Sequence, residues 1–353
     1  MNRKKLYLIG PIPDTKGKSV GGVAEFDIAA AEALNDYYDV TIITDTDKCV
    51  RSNIVKIKQI KGQNIIIRLC KIYKLLKKKK PNIIISQLQY SISPLFINNT
   101  FKIHFVHGFV TKKDYSCLKR IVWQLLNYLI RKRFDCQIAN SNFTAMINEK
   151  MLNNKTNYVV PLAINNIYLK NTKNKNRDID ILYVGRILKV KGVFEILNAV
   201  RQSSEKLNVY FIGDGVDKRE AEEFSKYNKI NVKFTGAVKK ERIKEYYDRA
   251  KIFISLNEAE PFGLTYIEAL SQGCKIIAPI TGGQVESLIK FRDRVCFIDQ
   301  INTNNILAAI SNLNNKEKSN FFNKDYLKKH FSYTRVASDI NEIIENGELL
   351  NEK

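Results

Sequence analysis

Short, uninterrupted apolar runs alternate along this chain with stretches whose apolar residues recur every three or four positions. In the first half the runs are Leu6-Tyr7-Leu8-Ile9-Gly10, Val40-Thr41-Ile42-Ile43, Ile83-Ile84-Ile85, Lys102-Ile103-His104-Phe105-Val106, Cys136-Gln137-Ile138-Ala139 and Tyr158-Val159-Val160. Runs that stay apolar instead of alternating with polar residues belong to strands covered on both faces, as in parallel sheets. Helical spacing fills the gaps at 23–34, 65–76 and 118–133. Within 65–76, Ile65, Leu69, Ile72 and Leu76 share one face while Arg68, Lys71 and Lys74 lie away from it. The rhythm restarts with strands at 181–184, 209–212, 232–234, 252–256 and 276–278, and with helices at 192–200, 242–250 and 263–270. Strands alternating with helices predict α/β architecture, here two Rossmann-like, doubly wound parallel-sheet domains facing across a cleft.

The length supports two domains, because 353 residues exceed the roughly 250–300 that one core sustains. The expected division is a first domain at 1–163, an Asn- and Lys-rich linker at 164–178 and a second domain at 179–330. No apolar run approaches the roughly 18 residues of a membrane span, and the start of the chain has no signal-peptide core. Six scattered cysteines without a Cys-x-x-Cys pair argue for reduced thiols in a cytoplasmic protein.

Charge changes the picture because it is uneven. The net charge of +22 comes mostly from residues 1–161, where 27 Lys and Arg face 11 Asp and Glu. From Lys48 to Arg133 there are 20 basic residues and one acid, Asp114. Such a field attracts an anionic membrane surface or nucleic acid. No aromatic-rich recognition module accompanies it, which sets nucleic acid aside. The 118–133 helix is amphipathic, with Ile121, Val122, Leu125, Leu126, Leu129 and Ile130 framed by Lys119, Arg120, Arg131, Lys132 and Arg133. The pattern fits an interfacial membrane helix and also a core-packed one; the apolar face is expected to pack on the core, leaving the basic flanks to meet lipid.

Candidate chemistry clusters at strand ends. The first strand leads into a loop carrying Gly17, Gly21 and Gly22; Gly21-Gly22 at a helix start can bring backbone close to a phosphate or sugar, and equally fits a plain tight turn. It is not Gly-x-Gly-x-x-Gly, so the nicotinamide fingerprint is absent. His107-Gly108-Phe109 follows another strand, where open α/β sheets bind ligands, whereas His104 lies inside that strand. Asp45-Thr46-Asp47 has the form of a metal-diphosphate motif and equally that of an ordinary loop after a strand. The stretch 257–268 places Glu260 in a Pro-Phe-Gly turn and Glu268 about two helical turns later.

Five motifs then fall in one order: Val184-Gly185-Arg186 with Lys191-Gly192, Ile212-Gly213-Asp214-Gly215, Phe234-Thr235-Gly236, Glu260-Pro261-Phe262-Gly263-Leu264-Thr265-Tyr266-Ile267-Glu268, and Gly282-Gly283 with Glu286. Together they resemble the retaining glycosyltransferases of GT-B architecture, family 4, over nearly the whole chain and most strongly from 181 to 286. The resemblance implies that Arg186 and Lys191 neutralise a nucleotide diphosphate and that Glu268 accepts the ribose hydroxyls. It implies that Glu260 and His107 lie near the donor sugar, with His107, Glu260, Arg186 and Lys191 as the catalytic set. Gly213, Asp214, the backbone near Val238, and Phe262, Gly263, Leu264 and Thr265 would complete the donor site. Gly21 and Gly22 would approach from the first domain, and the last segment, 331–353, would cross back to it. Pro261 departs from the small residue the family often carries there.

The implied enzyme moves a hexosyl group from a nucleotide-diphosphate sugar to a saccharide acceptor, lipid- or polyprenyl-linked, in surface polysaccharide synthesis. It needs no metal or cofactor, and its donor is a UDP-sugar in preference to a GDP-sugar. It would work in the cytoplasm, peripheral on the inner face of the cell membrane. Two other readings keep the fold: a sugar-nucleotide epimerase or hydrolase, and a non-catalytic partner subunit.

Overall fold

The computed structural model describes residues 3–15, 21–108, 117–153, 156–170, 176–315 and 324–351, with no side chains described at 117–120 or 348–351. Gly17, Phe109, Asp114 and the middle of the expected linker (171–175) lie outside the described residues. The chain divides into two compact units, 1–163 with 331–353, and 164–330.

The first unit runs β1 (Lys5–Ile9), α1 (Gly22–Leu34), β2 (Asp39–Thr44), β3 (Lys56–Gln59), α2 (Ile65–Lys79) and β4 (Ile83–Gln87). A 3-10 segment (Leu88–Phe96) leads to β5 (Phe101–Val106), α3 (Cys117–Arg133), β6 (Cys136–Ala139), α4 (Asn142–Leu152) and β7 (Tyr158–Val159). Its strands form one parallel sheet ordered β3-β2-β1-β4-β5-β6-β7. The apolar runs become strands because each is covered on both faces. Tyr7 and Ile9 pack with Ile72 and Leu76 of α2 on one side. On the other, Leu8 lines a small cavity together with Phe26 and Ala30 of α1.

The second unit begins with α5 (Asn166–Leu169), β8 (Ile179–Val184), α6 (Val193–Gln202), β9 (Val209–Ile212), α7 (Lys218–Tyr227), β10 (Val232–Gly236) and α8 (Lys240–Arg249). It continues through β11 (Ala250–Ile254), α9 (Leu264–Ser271), β12 (Lys275–Pro279), α10 (Gln284–Leu288), β13 (Val295–Ile298), α11 (Thr303–Asn315) and α12 (Lys324–Phe331). Its parallel order is β10-β9-β8-β11-β12-β13. Here β11 displays the alternation directly. Ile252 and Ile254 join the core that α6 and α11 cover. Phe253, pointing the opposite way, meets the rings of Tyr247 on α8 and Tyr266 on α9.

Two further observations concern the expected boundaries. The start of the expected linker is packed structure: Tyr168 of α5 is fully buried and its carbonyl accepts from Gln272 Nε2 at 2.7 Å. The final helix, α13 (Tyr333–Asn351), lies with the first unit and packs on α1. Its Asn341 Oδ1 accepts from Tyr38 Oη at 2.7 Å.

One expectation holds only in part. Leu126 and Ile130 of α3 pack with Leu95 and Phe134, but Ile121, Val122, Leu125, Tyr128 and Leu129 are exposed. Sequence spacing reveals that a helix is two-sided, not which side meets the protein.

Candidate active site at the switch point of the second sheet

In a doubly wound sheet the connections leave in opposite directions on either side of the first strand. Their loops part at the carboxyl ends of the strands and open a crevice. In the second unit that point lies between β8 and β11, so the loops after them, 185–192 and 255–263, meet there. Lys191 arrives from the first and Glu260 from the second. Lys191 Nζ lies 3.0 Å from Glu260 Oε2, with each side chain about one-fifth exposed. The same carboxylate oxygen accepts from Asn257 Nδ2 at 2.8 Å, and Asn257 Oδ1 accepts from the Ala259 amide at 3.3 Å.

The loops are held by backbone as well. Leu256 N donates to Lys191 O at 3.2 Å, and Gly283 N donates to Glu260 O at 2.7 Å. Gly192 permits the first contact. Its φ of +71° is left-handed, and a Cβ there would stand 2.4 Å from Leu256 Cβ. The Gly282-Gly283 turn is thereby part of the Glu260 loop's support.

Helix α9 starts at this crevice. Gly263 precedes it with φ +85°, and no side chain caps the helix. Its first amides, from Leu264 and Thr265, are therefore available to an anion. Phe262 is buried beneath the turn. Tyr266 Oη donates to Ser255 O at 2.6 Å, pinning the first turn to the end of β11. Glu268 lies one turn further, nine-tenths buried, and accepts from Tyr247 Oη at 3.3 Å. Burial, reinforced by the Glu268 charge, raises the Tyr247 phenol well above its ordinary pKa, which keeps that hydrogen in place.

Arg186 is exposed in the loop after β8 and has no ion-pair partner among the described residues. Its carbonyl accepts from Tyr183 Oη at 2.6 Å, fixing the backbone but leaving the guanidinium to solvent. Gly213 and Asp214 follow β9. Gly213 N donates to Gly236 O at 2.9 Å, and Ile187 N donates to Asp214 O at 3.0 Å, so the loops after β8, β9 and β10 are stitched together. The Asp214 carboxylate caps its own turn through Gly215 N at 2.9 Å. Val238 is half-buried just ahead of α8.

The remaining candidates belong to the first unit. Gly21 precedes α1 with φ −47°, and a Cβ there would meet open space, so no contact among the described residues requires a glycine. Gly22 is exposed beside it. His107 follows β5 and is buried, its ring stacked on Phe105 at 4.5 Å and edge-on to Phe26 at 5.0 Å. Neither ring nitrogen has a hydrogen-bond partner among the described residues. Burial, with His104 nearby, pushes its pKa down to about 3, so it is a neutral imidazole at ordinary pH. The Asp45-Thr46-Asp47 loop is committed elsewhere. Asp45 pairs with Arg68 at 3.1 Å and accepts from Tyr90 Oη, which leaves little of it for a metal.

Sequence reasoning missed two polar groups. One is Asn257, whose only signal was its place three residues before Glu260. The other is a buried pair, Asp27 of α1 and Gln87 at the end of β4, which lines a cavity of about 10 Å³ with His107. Burial raises the Asp27 carboxyl well above the usual range, and Gln87 Nε2 donates to it.

Stability then follows a definite sign. As pH rises above about 4, Asp27 ionises in the unfolded chain but keeps its proton in the folded one, so its contribution to stability declines. Asp27→Asn should remove that decline and gain on the native protein between about pH 4 and 7 in thermal melts. Histidine contributions are common to both proteins and cancel. Parallel pH profiles would contradict a protonated Asp27.

Residues 166–329 match the family described as glycosyl transferases group 1. The sulfoquinovosyl transferase SQD2 of Arabidopsis thaliana is 30% identical over 103 residues, covering 29% of this chain and 20% of that protein. An uncharacterized 41.2 kDa protein in the cps region of Klebsiella pneumoniae is 27% identical over 251 residues, covering 65% of this chain and 63% of its own length. The chain thus spans less than two-thirds of each of these relatives. Among solved structures, Anabaena Alr3699/HepE in complex with UDP and glucose superposes with a TM-score of 0.75 at 14% identity, covering 97% of this chain and all of that one. Residues 166–329 are thus similar to the glycosyl transferases group 1 family, and the two parallel-sheet units have the GT-B fold.

Proposed function

We propose that this chain is a retaining, metal-independent glycosyltransferase of family 4. It would move a sugar from a nucleotide-diphosphate donor to a saccharide carried on a lipid or polyprenyl anchor. The observation that carries this reading is the convergence of Lys191, Glu260 and the uncapped start of α9 at the switch point of the second sheet. A cation, a carboxylate and free amides suit a molecule with both phosphate oxygens and sugar hydroxyls. The UDP and glucose bound by Anabaena Alr3699/HepE support a UDP-sugar donor.

In this mechanism Lys191 and Arg186 offset the charge that develops on the diphosphate as the glycosidic bond breaks, aided by the α9 amides. These local cations do the work a divalent ion would otherwise do. Glu260, oriented by Lys191 and Asn257 at one oxygen, offers the other to donor-sugar hydroxyls. Glu268 accepts from the ribose hydroxyls. The acceptor hydroxyl attacks from the face the diphosphate leaves and gives its proton to the departing phosphate, so the anomeric configuration is retained. Gly21 and Gly22 leave room for substrate at the start of α1. His107, neutral and with both nitrogens unpaired among the described residues, is proposed as a hydrogen-bonding residue for the donor sugar.

Glu268→Gln keeps the volume and removes the charge. A hydrogen bond to a charged group contributes about 1.5–3 kcal/mol, so UDP-sugar affinity should fall roughly 10- to 100-fold by calorimetry. An unchanged affinity would remove Glu268 from the donor site.

The reading as a whole is tested by incubating labelled UDP-sugars with polyprenyl-linked saccharide acceptors and assigning the product anomer by NMR. Retained configuration in an acceptor-bound product is expected. Donor breakdown to free sugar, with no acceptor product, would favour a hydrolase instead.

A further inference from the structure

The outer face of α3 gathers five of the sixteen exposed large apolar side chains among the described residues, and the proposed chemistry leaves it unused. Ile121, Val122, Leu125, Tyr128 and Leu129 are between 37% and 59% exposed. At roughly 100° per residue these five positions cover about 120° of one helix face, over a length of about 12 Å. A continuous apolar strip of this kind normally marks a surface that something covers.

The opposite face already has its partners. Ile130 packs with Leu95 and Phe134, with Leu126 against them. Gln124 Nε2 donates to Met151 O at 3.4 Å and Arg131 Nη1 to Asn153 O at 3.3 Å, tying the helix to the end of α4. The helix is therefore fixed to the first unit and presents its other side outward.

Charge decides what covers that side. The helix Cys117–Arg133 contains no acidic residue, and it ends in Arg131, Lys132 and Arg133. Tyr128 stands on the apolar strip with the Arg131 guanidinium 5.6 Å from its ring centre. A second copy bringing up the same face would set these cations against one another with no acid on the helix to offset them. An anionic bilayer satisfies both parts, taking the apolar strip into its acyl boundary and the basic end at its phosphates.

We propose that α3 is a membrane-seating helix whose Ile121, Val122, Leu125 and Leu129 enter the interface of an anionic bilayer while Arg131, Lys132 and Arg133 hold its headgroups. This rests on the reading that the acceptor is lipid-linked and names the surface that reaches it. Binding should then have two components, one that salt screens and one that it does not.

The test uses the full chain with phosphatidylcholine vesicles, with and without phosphatidylglycerol. The wild type should sediment with the anionic vesicles and retain part of that binding in high salt. The triple variant I121S/V122S/L125S replaces exposed side chains and should lose about tenfold or more in partitioning, with its UDP-sugar thermal shift intact. Vesicle binding unaltered by the triple substitution would overturn the proposal, as would wild-type binding that high salt abolishes completely. A wild-type dimer that the triple substitution converts to monomer would assign the strip to a second copy instead. Membrane insertion without sugar transfer would refute the proposed function alone, because vesicle binding is read without donor.

Discussion

Lys191→Met should lower kcat for sugar transfer by about 10²- to 10³-fold while leaving the fold intact, the loss expected when one preorganised charge-stabilising group is removed. Lys191 Nζ is the cation that β8 and β11 bring to the switch point, 3.0 Å from Glu260 and four-fifths buried. A charge in that position is worth more than one in open solvent because less water screens it. The substitution also leaves Glu260 with Asn257 as its remaining partner at Oε2. Met matches the length of the lysine stem, so packing against the loop is kept. The expected signature is a fall in kcat larger than any rise in KM, since the charge on the diphosphate grows as the bond breaks. A kcat within about threefold of the wild type would detach Lys191 from the chemistry.

Gly213→Ala carries the largest expected effect on stability. Gly213 has φ +135°, and a Cβ there would stand 2.0 Å from the Gly185 carbonyl oxygen and 2.9 Å from its carbon. Both are backbone atoms, held in turn by Gly185 N donating to Ile212 O at 3.0 Å, so neither can rotate aside. Backbone strain and overpacking together should cost about 3–5 kcal/mol. For a unit of this size that corresponds to a fall of roughly 10 °C in melting temperature. The same displacement would move the loop carrying Arg186, so donor binding should weaken with stability. A variant melting within about 2 °C of the wild type would show that the three loops are less tightly joined than these distances require.

The sheets were legible because parallel strands buried on both faces are apolar in unbroken runs, as at 181–184 and 252–256. The edge strand β3 was not: its Lys-Ile-Lys-Gln has one apolar residue and takes its extended shape from pairing with β2. The 3-10 segment Leu88–Phe96 contains Pro94 and has no helical period long enough to read. In the site, Lys191 and Glu260 could be named because each belongs to a local motif, although 69 residues separate them. The Asp27–Gln87 pair had no such help. Its two members are 60 residues apart and only the β1–β4 neighbourhood brings them together. The outer face of α3 shows the limit most clearly, because amphipathic spacing is the same whether the apolar side meets a core or a membrane.

The central claim is that the switch point of the second sheet holds a nucleotide sugar. Thermal shift across UDP-, GDP- and ADP-sugars, on the wild type beside Lys191→Met, tests it most directly, because a ligand stabilises the folded state in proportion to its occupancy. A UDP-sugar should raise the wild-type melting temperature, be displaced by UDP, and raise that of Lys191→Met much less. Equal stabilisation of the two proteins, or no stabilisation of the wild type by any nucleotide sugar, would contradict it.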